Sequence, residues 1–355
     1  MKICLFGLYS TSFVKGSATF KVQSNVHGYL NKQGVEAHLF SSADSKGLYK
    51  KLFKKLTFTE TEEGLEITGG VIPFLMHLSS YNYDVVHFIV SRFYMFVIIP
   101  FIGFIKSKSV VTFHDCIIFP EIKCYRYSVI KLFLLKYLLY KFCDLVLVYN
   151  EIDKKNIERK FSITKTKLIK NGVTEKYFAV NHAKDKILSY AGGFENSYKG
   201  YEFLFEALQE VDCDYKLFLC GHGKSEGNLE NYKGVLVEHE LIQLFRESWL
   251  VVIPSRYDSF SLIGLEAMAC GAPIIITRNC GLVKYLVDGE GCLIVDYGNT
   301  YELAKKIELI LKDEQLRNRL SYQAQKNAHR FRWEIIIQEY IDVYSKLLQD
   351  KVERL

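Results

Sequence analysis

The chain has 355 residues, 49% hydrophobic and 24% charged; that is a globular composition on a chain too long for one core, so two domains are expected. A formal charge of +6, from 46 Lys and Arg against 40 Asp and Glu, is too weak an excess for a dedicated nucleic-acid binder. An odd set of nine cysteines with no Cys-x-x-Cys pair fits neither a zinc site nor a disulfide framework, and a reducing cytosol is the expected compartment.

In chain order, residues 1–7 form a short apolar run that ends in Tyr9-Ser10-Thr11-Ser12 without a small-residue cleavage site. Its residues 2–7 read as a buried first strand rather than part of a signal peptide. Further strands are expected at 36–40, 85–88, 110–113 and 145–148. A second series is expected at 187–191, 216–219, 235–237, 250–253 and 273–276, with helix-like stretches between them. This alternation is that of parallel sheets covered by helices on both faces. The longest uncharged apolar run, 93–105, is broken by Pro100 and Gly103 and falls short of the about 20 residues of a membrane span. Asn171-Gly172-Val173 is a turn after strand-like 167–169 and divides domain 1–172 from domain 173–330. Trp333, Ile336, Ile337, Tyr340, Ile341, Tyr344, Leu347 and Leu348 recur at helical spacing, so 331–355 is expected to be an amphipathic helix that crosses back to the first domain. The charge is uneven: residues 1–175 hold 24 basic and 14 acidic side chains, and residues 176–355 hold 22 and 26. The first half is therefore suited to something anionic.

Two segments carry chemistry. After the strand at 187–191 come Gly192, Gly193 and Lys199, then Gly200. Glycines let backbone approach a ligand, a helix start offers N–H groups, and the lysine adds a charge. The segment reads as a phosphate site or as a plain strand-to-helix turn with a surface lysine. After the strand at 250–253, Asp258 lies in a polar loop and Glu266 in the first turns of a helix. Carboxylates there can accept hydrogen bonds from sugar hydroxyls, although Glu266 equally fits a carboxylate stabilised by the helix dipole. Gly223-Lys224-Ser225 ends like a nucleotide-binding P-loop, but Phe218 stands where its first glycine belongs. Residues 7–12 lack the Gly-x-Gly-x-x-Gly of dinucleotide enzymes.

The ordered combination of Val-Val-Thr-Phe-His-Asp at 110–115, Lys170-Asn171-Gly172-Val173, the Gly192 to Gly200 stretch, residues 219–223, Asp258 with Glu266, and Trp333 resembles the retaining GT-B nucleotide-sugar glycosyltransferases, group 1 or family 4-like. The resemblance covers nearly the whole chain. It implies an α/β fold of two Rossmann-like, doubly wound parallel-sheet domains facing a cleft. The first domain would bind the acceptor and the second the nucleotide-sugar donor. It implies that Lys199 holds the donor's diphosphate, that Glu266 accepts from the nucleotide ribose, and that the Phe260, Ser261 and Leu262 backbone meets sugar hydroxyls or the diphosphate. Gly16 matches the loop after the first strand that approaches the phosphates. His114 matches a histidine pointing at the reaction centre, and Asp258 replaces the first Glu of the family's paired carboxylates; these two are the expected catalytic residues. Neither metal nor cofactor is implied. Three departures stand out: Gly193 where the family has Arg, with Arg256 and Lys15 as candidate substitutes, Asp258 one methylene short of Glu, and Lys284 where an acid is common. They motivate a rival reading, a degenerate non-catalytic GT-B protein that binds a nucleotide or partner.

On the acceptor side, His87 either lines the acceptor cleft or is a core histidine, while His27, His38 and His77 are expected to be structural. Residues 49–56 interleave lysines with apolar side chains, as does 128–142, where lysines 131, 136 and 141 fall on different helix faces. Such segments suit an anionic bilayer surface, while 128–142 equally fits a buried helix with its lysine heads reaching solvent. With the resemblance, they lead to a saccharide or lipid-diphosphate-linked saccharide acceptor in bacterial surface-polysaccharide assembly (O-antigen, capsule or a related glycan). The protein is then expected to be cytoplasmic and peripheral at the inner face of the plasma membrane, with no nucleic-acid partner.

Overall fold

The computed structural model describes residues 1–7, 18–42, 53–90, 106–113, 137, 139, 141–161, 165–178, 185–194, 197–223 and 232–350. The chain divides into two compact units, Met1–Lys170 with Trp333–Leu355, and Asn171–Arg332.

In the first unit the order is β1 (Lys2–Gly7), α1 (Ala18–Lys32), β2 (Glu36–Ser42), β3 (Thr57–Thr61), β4 (Gly64–Gly69), α2 (Val71–Ser80), β5 (Val85–Val90), β6 (Lys108–Phe113), β7 (Leu145–Val148), α3 (Glu151–Phe161) and β8 (Thr166–Leu168). The strands form one sheet ordered β3-β4-β2-β1-β5-β6-β7-β8. All neighbours are parallel except the β3–β4 pair. The central strands are apolar on both faces because helices cover both. Phe6, Phe40, Phe74 and Phe88 fill one layer, with Phe40 stacked 3.7 Å from Phe74. The hairpin β3–β4 lies outside the expected strands. Its outer strand, Thr57–Thr61, is polar and exposed along its length, so no apolar run marks it.

The second unit contains β9 (Ile187–Ala191), α4 (Tyr201–Leu208), β10 (Lys216–Cys220), α5 (Glu238–Glu247), β11 (Leu250–Ile253), α6 (Leu262–Ala269), β12 (Ile274–Thr277), β13 (Cys292–Val295), α7 (Thr300–Lys312) and α8 (Glu314–Ala328). Its sheet is parallel throughout, in the order β10-β9-β11-β12-β13. One expected strand is corrected: 235–237 is not a strand but the approach to α5. Val235 and Val237 are 53% and 54% exposed. The Val237 N–H donates to the Glu240 carboxylate at 2.9 Å, which caps the helix instead of joining a ladder.

The final helix α9 (Trp333–Gln349) belongs to the first unit. Trp333 stacks on Tyr29 of α1, whose hydroxyl donates to Glu334 at 3.1 Å. Lys170 pairs with Glu339. His87 is fully buried, with Nδ1 2.7 Å from the Tyr344 hydroxyl of α9 and Nε2 2.6 Å from Thr112 Oγ1. It is thus a core histidine, which decides between its two readings. His27 Nε2 lies 3.0 Å from the Ala37 carbonyl, and His38 and His77 both reach the Tyr83 hydroxyl. Among the described residues, no helix is long and apolar enough to cross a membrane.

Candidate functional site

In the second sheet the chain leaves β9 first to one side and then to the other, so the carboxyl ends of β9 and β11 flank the switch point where ligands of such sheets collect. The two loops leaving these strands touch. Gly200 sits in the left-handed region at φ 72°, and a Cβ there would stand 1.9 Å from the Pro254 carbonyl oxygen, so only glycine lets the loops close. The Arg256 N–H donates to the Tyr198 carbonyl at 2.8 Å.

This contact brings two expected site residues together. Lys199 Nζ lies 2.9 Å from Asp258 Oδ2, with both side chains partly buried. Burial alone would lower the lysine's pKa, but the Asp258 charge and hydrogen bond outweigh it and raise it above the ordinary lysine value. The other carboxylate oxygen, Oδ1, accepts from the N–H groups of Phe260 at 3.3 Å and Ser261 at 3.1 Å. Two of the three N–H groups expected to face the donor are therefore engaged by Asp258, because an Asp side chain readily closes a turn on the N–H groups two and three residues ahead. Ser261 is the one non-glycine residue with positive φ among the described residues, at 81°. Its hydroxyl accepts from Gly264 N–H, capping α6, of which Leu262 is the first residue. The loop is held from behind, since Gly281 and Leu282 N–H groups donate to the Asp258 and Phe260 carbonyls.

The glycine pair after β9 packs closely against its neighbours. Gly192 N–H donates to the Cys220 carbonyl at 3.1 Å. A Cβ on Gly192 would meet the Tyr190 hydroxyl at 2.2 Å, and one on Gly221 would meet the Gly192 oxygen at 1.7 Å. Gly192 thus seals the loop after β9 against the loop after β10. Gly193 offers its carbonyl to the Tyr190 hydroxyl at 3.3 Å. The helix expected to open in this segment begins only at Tyr201, after a 3-10 turn at Ser197–Lys199.

Glu266 lies in the second turn of α6 and is 4% exposed. The Tyr177 hydroxyl lies between this carboxylate and that of Glu238 of α5, 3.2 Å from the latter, and shares its one proton between them. Sequence reading missed both Tyr177 and Glu238, since nothing in their spacing links them to Glu266. Lys284 stands in a 3-10 turn with its ammonium 6.0 Å from the Tyr285 ring centre. Gly16 and His114, like Lys15, lie outside the described residues. Among the described residues, no three His, Cys, Asp or Glu side chains are grouped to hold a metal ion.

Two family models match consecutive parts of the chain: glycosyltransferase family 4 over residues 24–177 and glycosyl transferases group 1 over residues 173–327. The chain belongs to the GT-B glycosyltransferases. It is 31% identical over 160 residues to an uncharacterized glycosyltransferase of Methanocaldococcus jannaschii, covering 42% of this chain and 45% of that one. To the N-acetyl-alpha-D-glucosaminyl L-malate synthase of Bacillus anthracis it is 29% identical over 221 residues, covering 58% and 55%. The chain spans about half the length of the curated relatives it matches. Solved structures share the fold. A sucrose-phosphate synthase from Thermosynechococcus elongatus superposes with a TM-score of 0.79 at 19% identity, covering 98% of this chain and 99% of the other. An Anabaena protein in complex with UDP-glucose gives 0.76 at 18% identity, covering 98% and 100%. In this GT-B glycosyltransferase, Lys199, Asp258, the 260–262 loop and Glu266 all fall within the group 1 match.

Proposed function

We propose that the protein is a retaining glycosyltransferase that moves a hexose-type sugar from a nucleotide-sugar donor to a saccharide acceptor, without metal or cofactor. The observation that carries this reading is Lys199 paired with Asp258 at the switch point of the second sheet, the carboxylate also gathering the N–H groups that lead into α6. In the transfer, the bond between the anomeric carbon and the diphosphate oxygen breaks, and charge builds on that oxygen. Lys199 stabilises it, a contribution commonly worth ~10²–10³ in rate. The acceptor hydroxyl attacks from the same face, its oxygen bonds to the anomeric carbon, and its proton leaves on the departing diphosphate. Asp258 supports the positive charge on the ring, and the resemblance adds His114, outside the described residues, as the second catalytic residue.

The acceptor in this proposal is a lipid-diphosphate-linked saccharide of bacterial surface-polysaccharide assembly, met by a protein peripheral to the inner face of the plasma membrane. Its support is the basic excess of the first half of the chain. The UDP and UDP-glucose in solved Anabaena complexes of the same fold make uridine donors the first to try. Incubating the protein with a panel of nucleotide sugars is expected to release nucleoside diphosphate slowly, and faster with acceptor present. Binding without turnover of any donor would instead favour a non-catalytic nucleotide-binding role.

A further inference from the structure

Tyr177 enters the second unit in a tightly fixed turn. The Val173 N–H donates to the Phe331 carbonyl at 2.8 Å, Tyr177 N–H donates to the Thr174 carbonyl at 3.1 Å, and Glu175 pairs with Arg332. The turn, Glu175–Tyr177, directs the ring inward, and the residue is 2% exposed. Its hydroxyl stands between two carboxylates on two different helices, Glu266 of α6 and Glu238 of α5, and Glu238 is also paired with Lys176.

We propose that the Tyr177 hydroxyl is a positioning residue for donor binding: it holds the Glu266 carboxylate in the orientation that receives the ribose hydroxyls, and anchors it through Glu238 to α5. The proposal rests on the reading of Glu266 as the ribose contact. A buried phenol has one proton to give, and burial, reinforced by the negative charges of Glu266 and Glu238, keeps that proton on by raising the pKa well above the ordinary tyrosine range. The hydroxyl therefore stays protonated and shares its one proton between the two carboxylates. A hydrogen bond to one carboxylate oxygen fixes the plane of the group. Phenylalanine would fill the same space, so the hydroxyl can be removed while the ring stays.

The test compares binding of uridine, guanosine and adenosine diphosphates with their 2′,3′-dideoxy counterparts by calorimetry, in the wild type, Tyr177→Phe and Glu266→Gln. For the preferred base, the wild type is expected to discriminate against the dideoxy nucleotide, and Tyr177→Phe to lose about fivefold to tenfold of its affinity for the full nucleotide and little for the dideoxy one. Added to Glu266→Gln, the Phe substitution is expected to cost little more, because both changes remove one arrangement. A purely structural role would weaken both nucleotides alike, which overturns the proposal. If Glu266→Gln abolishes the discrimination and Tyr177→Phe leaves it intact, positioning by Tyr177 is overturned while the ribose contact stands. If Glu266→Gln leaves it intact, or no diphosphate binds the wild type, the reading of Glu266 falls and the proposal with it. Should Tyr177→Phe fail to fold, Glu238→Gln keeps the phenol and removes the rival charge. The discrimination is then expected to persist, and its loss overturns the proposal.

Discussion

Asp258 has two oxygens and three hydrogen-bonding groups around them: the Lys199 ammonium and the N–H groups of Phe260 and Ser261. The carboxylate occupies the cation that the proposed function assigns to the donor's diphosphate. Asp258→Asn keeps an oxygen for the two N–H groups and removes the competing charge. It is therefore expected to tighten nucleoside-diphosphate binding by about tenfold while slowing transfer, measured by calorimetry and by donor turnover. Lys199→Ala is expected to lower turnover by roughly 10²–10³, and an unchanged rate would remove the role assigned to the lysine. Lys199 and Asp258 were legible in the sequence as charged residues in loops that follow buried strands. The engagement of the Phe260 and Ser261 N–H groups was not read there, since the resemblance turned those groups towards the donor and took no account of the turn that an Asp closes on the N–H groups ahead of it. Nor was the Tyr177 hydroxyl, because its partners lie far along the chain and meet it only through the packing of α5 and α6 against one turn.

At the scale of elements, α1 carries a buried titratable group against the sheet. Burial, partly offset by the hydrogen bond to the Ala37 carbonyl, lowers the His27 pKa from 6.5 to about 4. The folded protein holds His27 neutral where the unfolded chain would protonate it, so stability is full above the ordinary value and falls as pH drops from 6.5 towards 4. The loss is on the order of 3 kcal/mol for this group. His27→Gln, which keeps a donor for Ala37, is expected to flatten the decline in the urea midpoint between pH 7 and pH 4.5. Most strands were legible because apolar runs closed on both faces mark parallel sheets, and β1, β7 and β9 have the expected bounds. The polar edge strand β3 gave no such run. The valines at 235 and 237 gave one without burial, since the N–H of Val237 is used to cap a helix.

For the whole molecule, charge follows the division into units. The first unit holds 27 Lys and Arg against 18 Asp and Glu, and the second 19 against 22. If the acceptor is carried by an anionic membrane, the protein is expected to float with anionic vesicles at low salt and to release as salt screens the charges. Absence of flotation would remove the membrane from the proposed function. The last helix carries a different consequence. Without α9, the surfaces of α1 that meet Trp333 are uncovered, and His87 loses the Tyr344 hydroxyl; a chain ended at Arg332 is expected to lose protease protection in the first unit while the second keeps its own. Synthesis runs from the amino-terminal side, so the whole of the second unit is translated before the segment that completes the first. The unit written first in the gene is thus the last to be finished, and until then its core depends on whatever holds an open hydrophobic groove in the cell.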